Sequence, residues 1–513
     1  MTRTRDLLRR NVKDRLKYAV GGAARLRVVV LLACVLALEA ADTATIGATA
    51  VSLERTLHIN NTDIGLLVTV STGIGALATL PIGALTDRIN RVNLLAGAIL
   101  VWSVAMAISG ASISYNMLLI TRLALGAVVA TAGPAVASLT GDFFPAAERG
   151  RIYGFILSGE LIGAGVGFLV SGDLAAVLSW RYSFWVLSVP GLFLAIAIWR
   201  LLPEPARGGQ SRLQAGEEEI RSAEQVDADE PAADVAAGGA NAQPRDEGKV
   251  EKEVQEADIQ PHDNLVLRTD PAERPLWWAV KYVLSIRTNR VLIVASALGY
   301  FFFSGLRTFA VVYLRDRFAV GQGTASSLLV VLGVGAIVGV LITGRLADWL
   351  IDRGHLTARP VIAGLSFLIA AVLFLPGMLT ATLLVAAPLF FLAAAGVGGA
   401  NPPLDAARLD LIHSRLWGRA EAVRTVLRSS FEAIAPLLFG YVSTQFGAHT
   451  SGLGHPAGSA GRGGIGLEYT FLIMLVPLAA AGLILLLRAR RTYPRDVATA
   501  VASEHATAAE DPT

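Results

Sequence analysis

The chain has 513 residues, of which 53% are hydrophobic and only 17% charged, and its mean hydropathy is +0.54. Soluble domains carry about 25% charged residues, so this composition excludes an ordinary soluble enzyme, and its hydrophobicity excludes a largely disordered chain. The net charge of +3 hides a split: residues 204–274 hold 18 acidic and 8 basic residues, and the remainder holds 23 acidic and 36 basic residues. The single cysteine, Cys34, excludes an intrachain disulfide.

Twelve apolar runs are long enough to cross a membrane as helices, which takes about 20 residues. The first six lie at 28–50, 61–82, 93–112, 117–139, 152–172 and 183–202, and the second six at 290–314, 325–345, 359–379, 381–401, 419–445 and 466–488. The sequence therefore predicts an all-α polytopic membrane protein with twelve transmembrane helices in two six-helix bundles. The predicted parts are an N-terminal segment 1–27, an N-terminal bundle 28–202, a disordered acidic linker 203–274, an interfacial helix 275–289, a C-terminal bundle 290–488 and a tail 489–513.

Basic residues cluster at the N-terminus, in the loops after the second, fourth, eighth and tenth runs, and in the tail. Because Lys and Arg accumulate on the cytoplasmic side of membrane proteins, we expect both termini and the acidic insert to be cytoplasmic and the chain to lie in the cell membrane. The insert is too polar to bury a core, and a solvated linker is favoured over a regulatory docking segment.

The two halves repeat each other. Residues 83–87 read Gly-Ala-Leu-Thr-Asp and residues 344–348 read Gly-Arg-Leu-Ala-Asp, an offset of 261. A second match, at an offset of 268, relates Pro134, Asp142, Gly150 and Arg151 to Pro402, Asp410, Gly418 and Arg419. Repeats of several helices, with a site near the membrane midplane, are typical of secondary transporters.

These motifs resemble those of a known family. The stretch from Gly83 to Arg91 resembles the cytoplasmic loop motif of the major facilitator superfamily, and Gly344-Arg-Leu-Ala-Asp348 resembles its second copy. The N-terminal half is most similar to spinster-like members, with Asp42 at the place of their first-helix acid, although Val129 stands where their fourth helix has a Glu. The resemblance implies pseudo-symmetric bundles, alternating access, and a cytoplasmic gate motif made of Gly83, Asp87, Arg88, Arg91, Gly344 and Asp348.

Two carboxylates in the first run are candidates for proton coupling. Glu39 and Asp42 are three residues apart and share a helical face, so both cannot easily be ionised in a low dielectric. At about 1.5 Å per residue, Asp42 and Arg122 lie at similar depths, which predicts that Arg122 pairs with Asp42 and holds it deprotonated. A purely structural ion pair is the alternative.

Four further charges are candidates for a substrate cavity: Glu160, Arg307, Arg428 and Glu432. Arg307 is otherwise a snorkelling residue at the outer interface, and Glu160 a structural ion-pair partner. Arg428 and Glu432 are four residues apart, which predicts an ion pair between them. Asn401-Pro402-Pro403 should interrupt the tenth helix and form a hinge.

The function predicted from these features is a secondary active transporter, not an enzyme. No P-loop, metal-ligand spacing or nucleophile elbow occurs, so we expect no cofactor, no metal and no nucleic-acid partner. The energy source should be an ion gradient, with protons as the leading hypothesis, or the gradient of the substrate itself. The antiporter-like loop motif and the resemblance to spinster-like members imply antiport that exports an amphiphilic, lipid-like or drug-like molecule. We expect the twelve-helix unit to act as a monomer. The alternatives are uptake of an organic anion through Arg122 and Arg307, and a transport-dead receptor or scaffold.

Overall fold

The structure is a computed structural model, and it describes residues 22–86, 89–144, 146–205, 259–269, 271, 274–446 and 462–509. Within these ranges the regular secondary structure is helical. The described residues divide into two compact units, one within Met1–Leu57 and Val70–Ala242 and the other within His58–Thr69 and Gln243–Thr513. The boundary in the middle of the chain falls inside the acidic insert, whose residues 206–258 lie outside the described part.

In the described part of the chain, seven helices precede the insert and nine follow it. The first seven are α1 (Ala23–Leu57), α2 (Asn61–Thr86), α3 (Arg91–Gly110), α4 (Tyr115–Val129), α5 (Ala132–Phe143), α6 (Ala146–Val177) and α7 (Trp180–Leu201). Polar residues begin several of them: Asn90 and Ser114 accept hydrogen bonds from Asn93 N and Met117 N and so cap α3 and α4.

Nine helices follow the insert. They are α8 (Leu276–Ser285), α9 (Arg287–Phe318), α10 (Gln322–Ile351), α11 (Ala358–Leu379), α12 (Leu383–Gly399), α13 (Asn401–Asp410), α14 (Trp417–Gln445), α15 (Arg462–Ile484) and α16 (Arg490–Ala509), with a π-helical turn at Leu485–Ala489 between the last two. The short helix α8 lies where the sequence predicts the interfacial helix.

Ten stretches of the described chain are long and apolar enough to cross a membrane, so the predicted twelve is supported only approximately. The fourth predicted crossing is divided into α4 and α5, which have 15 and 12 residues. The eleventh crossing, α14, is continuous over 29 residues but is too polar to qualify. Charged side chains in its first half, such as Glu421, Arg424 and Arg428, account for this polarity.

Proline accounts for the divided helices. Pro134 lies in the first turn of α5, and without an N–H it cannot bond to the carbonyl of Ala130, where α4 ends. In the other half, α12 ends before Ala400 and Pro402 lies in the first turn of α13, so the predicted interruption is confirmed. The repeat extends to the backbone, because His58 and Ala319, 261 residues apart, both have φ in the left-handed region, at 54° and 53°.

The segments predicted as the end of the linker and as a tail pack together. Helix α16 continues to Ala509, and Thr499 and Ser503 accept hydrogen bonds from His262 N and Leu267 N at 2.9 and 3.0 Å. Asp496 accepts one from Thr288 N at 2.8 Å, at the start of α9. The end of the insert and the last helix therefore brace the first turn of the C-terminal bundle.

Candidate functional site

A buried ion pair joins α1 and α4. Asp42 is 5% exposed and Arg122 is 1% exposed, and Arg122 Nη1 donates to Asp42 Oδ1 at 2.7 Å. The contact that the helical depths predict is thus present. In a buried pair each ion neutralises the other, and removing one partner costs about 3–5 kcal/mol.

Apolar groups enclose the Arg122 guanidinium. Its carbon lies 4.9 Å from the centre of the Phe184 ring, and Nη2 is 3.5 Å from Met106 Sδ. Nε is enclosed and has no hydrogen-bond partner in the described part of the chain. Little water reaches this guanidinium, so Asp42 provides its main electrostatic stabilisation.

Glu39 lies one helical turn before Asp42 and borders a recess of about 350 Å³. Trp102 and Val129 form part of its apolar wall, and Glu39 is the one ionisable side chain among the described residues that line it. Val129, the departure from the spinster-like pattern, therefore contributes apolar surface where a carboxylate is expected.

Close packing of α1 against α6 holds Asp42 in place. A Cβ added at Gly159, Gly163 or Gly167 would lie 2.3, 2.1 or 2.6 Å from backbone atoms of Ala33, Ala37 or Ala41, respectively. The glycines of α6 thus allow the backbones of the two helices to approach closely. Because Ala41 precedes Asp42, this contact also fixes the backbone that presents the carboxylate.

Two ion pairs occupy repeat-equivalent positions near helix ends. Arg91 Nη1 contacts Asp142, and Arg359 Nη1 contacts Asp410, so each pair joins residues related by the offset of 268. Arg91 Nε also donates to Glu204 Oε1 at 2.8 Å. These arginines link the start of one helix to the end of the next crossing in the same bundle.

The gate motif is only partly described. Asp87 and Arg88 lie outside the described residues, and Gly83 lies in the last turns of α2. Gly344 and Asp348 lie on α10, where Asp348 Oδ1 is 3.8 Å from Arg359 Nη2. In the second unit this motif acid therefore belongs to the same charge group as the Arg359–Asp410 pair.

The predicted pair between Arg428 and Glu432 is wrong. Glu432 Oε1 lies 3.4 Å from Arg307 Nη2, on α9, so the two predicted cavity charges Arg307 and Glu432 neutralise each other. Arg428 has its guanidinium 4.2 Å from the centre of the Tyr300 ring, also on α9. Among the described residues, no carboxylate lies within ion-pair distance of Arg428. Helical spacing alone did not show that Arg307 on a neighbouring helix would be the better partner for Glu432.

A second charge cluster lies nearer the start of α14. Glu421 contacts Arg408 Nη2 at 2.5 Å and Arg424 Nη2 at 2.5 Å, and Asp405 is 3.5 Å from the same two arginines. The cluster is therefore neutral in formal charge. It borders a recess of about 260 Å³, whose lining includes Ser296 on α9 and Asn401 on α13.

The predicted cavity charges are divided between the units. Glu160 lies on α6 in the first unit with its side chain exposed, whereas Arg307, Arg428 and Glu432 come together in the second. In the described part of the chain, no group of three His, Cys, Asp or Glu side chains is placed to hold a metal ion.

Three contact residues were not predicted from the sequence: Arg359, Tyr300 and Glu421. Arg359 repeats Arg91 at the offset already found for Asp142 and Asp410, so the repeat contained the signal. Glu421 shares one face of α14 with Arg424 and Arg428, at spacings of three and four residues. Nothing in the local sequence distinguishes Tyr300 from the aromatic residues around it.

Known proteins resemble this chain in sequence and in structure. The "Probable L-galactonate transporter" of Escherichia coli (strain K12) is 29% identical over 161 residues, 31% of this chain and 35% of that protein. The "Uncharacterized transporter YybO" of Bacillus subtilis (strain 168) is 24% identical over 186 residues, 36% of this chain and 43% of that protein. The chain thus matches less than half the length of these curated relatives.

The fold matches solved transporter structures. A bacterial homologue of the human lysosomal transporter spinster, in an inward-facing and unoccupied conformation, superposes with a TM-score of 0.70 at 19% identity and covers 91% of this chain and 97% of that one. The model of the Major Facilitator Superfamily matches residues 32–436. Because that match spans most of the chain and the helices fold accordingly, the chain belongs to the Major Facilitator Superfamily of multi-pass membrane transporters.

Proposed function

We propose that the protein is a proton-coupled secondary transporter in which Asp42 carries the proton and Arg122 controls its release. The supporting observation is the 2.7 Å ion pair between these side chains, both buried in the apolar interior of one bundle. A charged group at the centre of a membrane helix costs about 2.5–3.5 kcal/mol even on insertion scales, so such a pair is expected to have a function.

The pair suits a proton switch because its two states differ in charge balance. While Arg122 contacts Asp42, the guanidinium balances the charge of the carboxylate. A movement that separates the two leaves a buried carboxylate without a counter-ion, and binding of a proton would then remove that charge. Glu39, one turn away at the recess, provides a second carboxylate for the proton's path.

For direction and substrate, we propose antiport that exports an amphiphilic molecule from the cell. We also propose that both termini lie in the cytoplasm. The proposed antiport rests on the resemblance of the Gly83–Arg91 loop motif to that of antiporters. A second candidate, symport that takes up an organic anion, is favoured by one specific finding: the relative at 29% identity is named for L-galactonate, an organic anion. Transport in both candidates depends on Asp42.

The test uses the purified full chain in proteoliposomes with a pH-sensitive dye trapped inside. Lysolipids, amphiphilic dyes and organic acids are added one at a time, and compound-dependent proton movement is recorded together with compound flux. Opposite directions of proton and compound indicate antiport, and equal directions indicate symport.

The decisive variant is Asp42→Asn. We expect it to lose compound-dependent proton movement while retaining exchange of the compound across the membrane in the absence of a pH gradient. Asp173→Asn, which changes an exposed carboxylate of α6, is the matched control and should behave as wild type. Proton-coupled accumulation at the wild-type rate in Asp42→Asn would remove Asp42 as the proton carrier.

A further inference from the structure

We propose that Arg428, held against the ring of Tyr300, is a binding subsite for the carboxylate of a compact organic anion. This inference deepens the second candidate function, uptake of an organic anion, by placing the anion in the structure, and it rests on that candidate for its transport role. It moves the anion site away from Arg122 and Arg307, because the structure gives both of those arginines a carboxylate partner.

Charge balance in the second unit singles out Arg428. Arg307 is neutralised by Glu432, and the two arginines at 408 and 424 share two carboxylates. Arg428 is left as the membrane arginine of α14 with no ion-pair partner among the described residues. Together the four arginines exceed the three carboxylates Asp405, Glu421 and Glu432 by one positive charge. A ligand with one negative charge balances this group, which favours a monocarboxylate over a phosphate with two charges.

The position of Arg428 makes an unmatched charge unfavourable without a ligand. It lies eleven residues after the start of α14, about 16 Å along the helix and so near the middle of a hydrocarbon core about 30 Å thick. Snorkelling toward the membrane surface is difficult from that depth. An anion bound in the transport cycle would provide the missing counter-charge.

The geometry leaves the guanidinium able to receive a carboxylate. The ring of Tyr300 lies 4.2 Å from the guanidinium carbon, a distance that fits a cation–π contact and fixes the orientation of the planar group. Nε is enclosed without a hydrogen-bond partner, and within the described residues neither terminal nitrogen donates to the protein. Two parallel donors on a fixed plane are the arrangement that binds a carboxylate in bidentate fashion.

The neighbouring recess indicates what the rest of the ligand is like. Arg424 lies one turn closer to the start of α14 than Arg428. Together with Ser296 and Asn401, it borders the recess described above. The recess is small, and its wall combines the hydroxyl of Ser296 and the amide of Asn401 with apolar side chains such as Leu292. A compact ligand that carries hydroxyl groups suits such a wall better than one with a long alkyl chain.

The experiment measures the thermal stability of the purified full chain in detergent with three probes. Gluconate is a hydroxylated monocarboxylate, sorbitol is its uncharged counterpart, and laurate is an amphiphilic carboxylate. Binding raises the unfolding temperature by mass action, so wild type should be stabilised by gluconate and not by sorbitol. The same series gives apparent affinities when each probe is titrated.

Arg428→Gln should weaken gluconate binding at least about tenfold, because a charge-assisted bidentate contact is lost. Without ligand, this variant should unfold at the wild-type temperature or above it. If Arg428 only stabilised the bundle, its replacement would lower the unfolding temperature. Arg290→Gln, at an exposed arginine of α9, is the matched control and should bind as wild type. If Arg428→Gln does not fold, Tyr300→Leu should weaken binding whereas Tyr300→Phe, which keeps the ring, should retain it.

Equal gluconate affinity in wild type and Arg428→Gln would overturn the inference. So would stabilisation by laurate alone, to the same extent in both proteins. These binding measurements need no gradient, so they separate the two proposals. Proton coupling that persists in Asp42→Asn, together with gluconate binding that requires Arg428, contradicts only the proposed function. Proton coupling that is lost in Asp42→Asn, together with equal gluconate affinity in wild type and Arg428→Gln, contradicts only the subsite.

Discussion

Adding one methyl group at Gly163 tests the packing that positions the proton site. In Gly163→Ala the new Cβ would lie 2.1 Å from the carbonyl oxygen of Ala37, whereas real contacts of this kind begin near 3.0 Å. The obstacle is backbone and cannot rotate away, so α1 and α6 must separate by most of an ångström. Overpacking costs about 1–3 kcal/mol, and the better helix propensity of Ala returns at most about 1 kcal/mol. We expect a net loss of about 1–2 kcal/mol.

The assay is thermal unfolding of the purified protein in detergent, followed by intrinsic fluorescence and by size-exclusion chromatography after heating. Gly165→Ala is the matched control, because it lies on the same helix and its added Cβ would meet no atom within 4 Å. Its unfolding temperature should equal or slightly exceed that of wild type. The reasoning fails if Gly163→Ala is as stable as Gly165→Ala.

Three other predictions concern the helix ends. Arg91→Ala and Arg359→Ala should each destabilise the protein by roughly 3 kcal/mol in chemical or thermal unfolding, because each removes the arginine that pairs with a largely buried carboxylate, and wild-type stability in either would contradict that role. Asp496→Ala should lower stability by about 1–2 kcal/mol through loss of the bond from Thr288 N, and an unchanged unfolding temperature would dismiss this brace. Burial raises the pKa of Tyr282 to about 12 from 10.0, so the stability it provides is complete below pH 10.0 and is lost as the pH rises through about 12. Tyr282→Phe should show a weaker loss of unfolding temperature over that alkaline range than wild type does.

The fold could be predicted because its signals are local. Length and hydropathy locate membrane helices one at a time, and the offsets of 261 and 268 relate the halves without reference to any contact. The contact between Asp42 and Arg122 could be predicted because the depth of a residue in the membrane follows from its position along the helix. Depth and helical face do not predict an ion pair when several side chains compete for one partner. Arg428 on the same helix and Arg307 on α9 could both pair with Glu432, and the structure pairs it with Arg307.

The repeat also separates scaffold from chemistry. The Arg91–Asp142 pair recurs at the same offset in the second bundle, as expected of contacts that both bundles need for folding. The buried pair does not recur: the offsets of 261 and 268 place Phe303 and Phe390 where the first bundle has its acid and base.

Conversely, Arg428 in the second bundle corresponds to an acid, Glu160, in the first. Two copies of one fold retain what stabilises it and diverge where their functions differ, so a charge that breaks the repeat is better evidence of function than one that follows it. By this reasoning the proposed proton site belongs to the first bundle and the proposed anion subsite to the second. Coupling between the two would then need both bundles.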